Sequence, residues 1–121
     1  MTDERGRWPD PASIVVALFV GAAGMLFLVE PVVDPFQFGS LRVRPVALAA
    51  LVFTVGMLLG AGIYLRRGNR LVGLGHAVVG VSWGLIVAGT AFASELVFYA
   101  GIVLLVAGLG WLVTEAREQL D

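Results

Sequence analysis

Apolar residues fall in four long unbroken runs, and all 17 Asp, Glu and Arg residues lie at the termini or in the three breaks between them. The runs cover residues 12–29, 45–65, 71–92 and 96–113. A helix rises about 1.5 Å per residue, so about 20 residues cross a hydrocarbon layer of about 30 Å. Each run is long enough for that. Within lipid the backbone must satisfy its own hydrogen bonds, which forces helix. A β-barrel would instead show alternating segments of about 10 residues, and these are absent. The pattern predicts an all-α, integral membrane four-helix bundle running up-down-up-down.

The ends of the runs carry suitable signals. Asp10-Pro11 offers an N-cap acceptor followed by proline at the first helical position. Pro45 opens the second run. Ser94-Glu95 opens the fourth, with a carboxylate at the positive end of the helix dipole. Trp8, Tyr64, Tyr99 and Trp111 stand near the predicted interfaces, where amphipathic rings collect. Arg5 and Arg7 resemble the basic start of a signal peptide. The apolar run that follows continues to Val29, beyond the 7–15 residues of a signal core, so it reads as a span.

Residues 1–11 then form a cytoplasmic N-terminal segment, 12–113 a single transmembrane domain, and 114–121 a cytoplasmic tail. The termini and the 66–70 turn share one side of the membrane, with six arginines: Arg5, Arg7, Arg66, Arg67, Arg70 and Arg117. The opposite side has Arg42 and Arg44. The positive-inside rule predicts both termini in the cytoplasm. The short breaks at 66–70 and 93–95 make the last three spans antiparallel neighbours. The longer external loop 30–44 alternates weakly in polarity. A plain connection is its simplest form, and a short hairpin or an interfacial lid is the alternative.

Composition narrows the class. Of 121 residues, 59% are hydrophobic and 14% charged, against about 25% charged in an ordinary soluble domain. A chain this short has too little interior to hide that apolar surface from water. Net charge is −1, without the basic stripe of a nucleic-acid binder. There is no cysteine, which removes disulfides, thiolate metal sites and cysteine nucleophiles. All eight cations are arginine, a bias that points to a prokaryote and its cytoplasmic membrane.

Sixteen glycines need a physical reason. Helices in lipid associate by close packing, which small residues permit. The third span has Gly80, Gly84 and Ala88 at intervals of four, on one helix face. The second has Gly56 and Gly60, the first Ala17 and Gly21, and the fourth Gly101 and Gly108. His76, the one histidine, continues the Gly80 series by one turn. It lies roughly 8 Å inside the cytoplasmic end at 1.5 Å per residue. The same count in the other spans reaches Ala17, Gly60 and Gly108. His76 therefore either fills space left by small residues or belongs to a polar pocket with Tyr64 and Ser82. An intramembrane ionisable group is a functional candidate by default. Thr54, Ser82 and Thr90 are expected to bond to backbone or neighbouring helices. Trp83 is too deep for a belt role and either faces lipid or packs as a knob. On the external side Glu30, Asp34, Arg42, Arg44 and Glu95 are charges that either form a cluster pinning the loop to the fourth span or make a solvated rim.

No catalytic constellation is visible. The chain has no GxSxG, HExxH or P-loop, and no paired carboxylates at membrane depth. Its glycine-rich stretches lie inside apolar runs rather than after a strand, so they do not read as a dinucleotide site, and no cofactor is expected. The expected protein is non-enzymatic: a structural or accessory subunit in the lipid bilayer that self-associates or packs against a larger membrane partner. A minimal oligomeric channel or transporter with a polar site near His76 is the alternative.

Overall fold

The computed structural model describes residues 10–121, so Trp8, Arg5 and Arg7 and most of the N-terminal segment lie outside the described residues. Among the described residues four helices form: α1 (Pro11–Val29), α2 (Pro45–Arg66), α3 (Arg70–Ala91) and α4 (Glu95–Leu120). All four are long and apolar enough to span a membrane. Their apolar windows are only 11–22% buried within the chain, and large side chains such as Leu18, Leu28, Leu96 and Val106 stand exposed. Helices apolar on every face need lipid around them. The protein is an all-α multi-pass membrane bundle.

Three helices keep their expected bounds to within one residue. The fourth runs seven residues past Val113. Thr114–Leu120 contains no glycine or proline and is rich in strong helix formers, so nothing stops the helix where the apolar run ends.

One cap departs from expectation, and a second, at the start that Pro45 marks as expected, was not foreseen. Asp10 precedes Pro11, but its side chain accepts no capping bond from α1. Its carboxylate instead pairs with Arg67, tying the start of α1 to the end of α2. Arg44 stands at the N-cap of α2 and cannot accept there. Glu30, arriving from the end of α1, takes that role: its Oε2 accepts from the Val46 amide at 2.8 Å. A carboxylate is favoured there by the unpaired N–H groups of a helix start. Ser94 caps α4 as expected, its Oγ accepting from the Val97 amide at 3.4 Å.

The 30–44 connection is a two-stranded antiparallel hairpin, β1 (Phe36–Phe38) and β2 (Leu41–Val43), with Phe36 opposite Val43. Its two-residue turn, Gly39-Ser40, has positive φ at Gly39 alone (65°), as a type II′ connection requires. The two short turns on α2–α3 and α3–α4 share one construction. The Asn69 amide bonds the Tyr64 carbonyl at 3.0 Å, and the Ser94 amide bonds the Gly89 carbonyl at 2.8 Å. The left-handed residue each needs is Gly68 in one case and Ala93 in the other.

Packing follows chain order. α1 lies on α2, α2 on α3, and α3 on α4. Glycines set these approaches. Phe19 of α1 lies directly over Gly56. Gly80 meets Leu58, and Gly84 meets Thr54 Cγ2, both on α2. Gly101 lies against the Ser82 carbonyl and Ile86, and Gly108 against Val78, joining α3 to α4. Ala88 is half-buried. Ala17 and Gly21 depart from expectation. Both are exposed, and a Cβ on Gly21 would meet nothing within 4 Å. α1 packs on α2 through Val16 and Phe19 instead, which turns the Ala17–Gly21 stripe outward. Between α1 and α4 the bundle stays open, leaving a cleft of about 480 Å³ whose floor includes Phe53 and Trp83.

Candidate functional site

The polar side chains that come together lie at the end of the bundle where α1 begins and α2 ends. His76 comes from the second turn of α3. Its series with Gly80 and Gly84 faces α2, and its ring lies in the space left by Gly60. A Cβ on Gly60 would come within 2.5 Å of His76 Cδ2 and 2.9 Å of Val16 Cγ2. Gly60 is thus the point where three helices converge on one residue without a side chain.

His76 Nδ1 lies 2.8 Å from the Val72 carbonyl, one turn back on the same helix. A carbonyl only accepts, so Nδ1 carries the proton and donates. Nε2 is then the nitrogen left facing α2, an acceptor whenever the ring is neutral. Tyr64, one turn beyond Gly60, lies against the imidazole with ring centroids 5.0 Å apart and planes tilted by 42°. Its hydroxyl is 2.9 Å from Ser13 Oγ on α1. Ser13, Tyr64 and His76 therefore form one strip across three helices, with the Asp10–Arg67 ion pair at the same end of the bundle. The strip offers hydroxyls and one imidazole nitrogen. No cluster of three or more metal-ligating side chains occurs among the described residues.

Two expected members stand elsewhere. Ser82 is six residues from His76, about 240° round the helix, and so faces α4. It is fully buried there, and its Oγ has no hydrogen-bond partner among the described residues. Gly108 meets Val78, again on the α4 side, and Ala17 gives way to Val16. His76 can face only one neighbour, and that neighbour is α2 with α1 behind it. Ser13 was not singled out in the sequence. The depth count that pairs Gly60 with His76 also pairs Ser13, the second residue of its run, with Tyr64, the second from the end of its own.

The other polar residues in the spans bond locally. Thr54 Oγ1 donates to the Ala50 carbonyl at 2.8 Å, and Thr90 Oγ1 to the Ile86 carbonyl at 2.9 Å. Trp83 packs edge-on to Phe53 and lines the open cleft. On the hairpin side Glu30 and Arg44 form an ion pair, with Arg44 Nε donating to Glu30 Oε1 at 2.8 Å. Asp34, Arg42 and Glu95 make no ion pair among the described residues. The pair joins the end of α1 to the start of α2, so the loop is pinned to α2 and not to the fourth span.

Comparison of the chain with models of known protein families, with curated proteins and with solved structures finds no match.

Proposed function

We propose that this small multi-pass membrane protein is a non-catalytic structural or accessory component of a prokaryotic cytoplasmic membrane, held with both termini in the cytoplasm. It associates through the outward face of α1 with a second copy or a larger membrane protein. The observation that carries this reading is a contrast among small residues. Gly56, Gly60, Gly80, Gly84, Gly101 and Gly108 each receive a neighbour from within the chain. Gly21, Gly24, Gly62, Gly75 and Gly110 receive none, and of these Gly21 alone has a second small residue four positions away, the exposed Ala17. Small residues at intervals of four let a partner helix approach closely in lipid. The strip of Ser13, Tyr64 and His76 fits the same role, since it fixes α1 against α2 and α3 and so orients the free stripe.

Intact mass after mild detergent extraction tests this. The native chain is expected to run as a complex, and Gly21→Leu, which adds bulk where the chain itself has open space, is expected to release a folded single chain. A native protein that extracts as a single chain bound to nothing, or a complex indifferent to Gly21→Leu, overturns the reading.

A further inference from the structure

The open cleft between α1 and α4 reaches only halfway through the bundle. On α1 it runs from Phe27 near the hairpin end down to Val20, and on α2 from Val46 down to Phe53, roughly 10 Å in each case. On α4 its deepest lining residue, Leu105, lies ten residues below Glu95, roughly 15 Å, and on α3 Val79 lies twelve below Ala91, roughly 18 Å. Half of a hydrocarbon core of about 30 Å is the depth of one leaflet. A membrane helix of a partner would cross both leaflets, so a slot that ends at mid-depth fits it poorly. A single hydrocarbon chain fits in both depth and chemistry, because the walls are aliphatic and aromatic throughout.

An ion pair stands beyond the hairpin end of the cleft, outside its lining, with Glu30 three residues past Phe27. Arg44 precedes Val46 by two residues, and its side chain is 69% exposed. It is held in place by Glu30, which it meets through Nε and Nη2. Glu30 in turn gives its second oxygen to the Val46 amide. The carboxylate is therefore satisfied from two sides. Arg44 Nη1 has no partner among the described residues, and guanidinium N–H groups match phosphate oxygens in geometry and charge.

We propose that the cleft is a binding site for one glycerophospholipid of the leaflet on the hairpin side, with an acyl chain lying along Phe53 and Trp83 and the phosphate on Arg44. The proposal depends on membrane insertion and not on association through α1, so failure of one leaves the other standing.

The test uses the full chain with Trp8→Phe and Trp111→Phe, which leaves Trp83 as the sole indole. The protein in detergent is titrated with phosphatidylglycerol brominated on its acyl chains. Saturable quenching of Trp83 with one lipid per chain is expected. Arg44→Gln should weaken binding about tenfold, as loss of a charged hydrogen bond does. Brominated diacylglycerol, which lacks the phosphate, should bind the native cleft as weakly as the phospholipid binds Arg44→Gln. Gly24→Leu places bulk in the cleft where a Cβ meets nothing within 4 Å, and should abolish saturation. Ala50→Phe is a second obstruction, and circular dichroism confirms that each variant is helical. Non-saturable quenching overturns the proposal. So do quenching unchanged in both obstructed variants, equal binding of diacylglycerol, and a dimer that excludes lipid from the cleft.

Discussion

Gly60 shows how much a missing side chain can decide. The imidazole of His76 and the methyl of Val16 both occupy the volume a Cβ would take, so three helices depend on that one position. Gly62, two residues on, has open space around it. Gly60→Val is therefore expected to destabilise the protein by about 1–3 kcal/mol, the usual range for overpacking. Gly62→Ala should leave stability the same or slightly higher, since alanine is the better helix former. Thermal unfolding in one detergent, followed by circular dichroism, measures both, and equal midpoints would show that the Gly60 contact carries no weight. The pairing of Gly60 with His76 was legible from depth counting alone. The grouping of Ser82 with His76 ran against the helix period, which puts residues six apart about 240° round from each other. Ser13 was missed for a different reason. It stands at the edge of an apolar run, where a polar residue attracts no notice until its opposite number is known.

At the scale of elements, all four helix starts and the first three stops were read well, and their partners were not. Pro11, Pro45 and Ser94 mark their helices as expected. Asp10 and Glu30 exchanged roles: the residue placed to cap α1 pairs with a distant arginine, and a residue from the end of α1 caps α2. Such exchanges depend on which ends the turns bring together, and local sequence does not encode that. Glu30→Ala removes both the ion pair and the amide acceptor. A lost cap costs about 1 kcal/mol, while exposed ion pairs add little, so a loss near 1 kcal/mol is expected. Glu30→Gln keeps an acceptor for the Val46 amide and should recover most of that stability. If both variants unfold alike, the cap is not the source. The run of α4 beyond Val113 belongs to the same lesson, since hydropathy marks where lipid ends and helix propensity marks where the helix ends.

For the whole molecule, span number and class followed from the hydropathy pattern with little ambiguity, because lipid admits so few backbone solutions. The short breaks also made α2, α3 and α4 neighbours in chain order, as they are. The gap between α1 and α4 was not legible, since it arises from which faces the glycines open. Membrane sidedness rests on the arginine asymmetry, and reporters fused to the two ends test it: both should report the cytoplasm, and an external signal from either would reverse the assignment. The arrangement in chain order has a consequence for biogenesis. Each helix packs on the one synthesised just before it, so every interface can close as soon as its second helix leaves the ribosome. No early helix waits for a late one, and chain closure never spans more than a turn or the short hairpin. Truncation after α2 or α3 should therefore leave the preceding pair assembled, and the protein can grow into the bilayer one hairpin at a time.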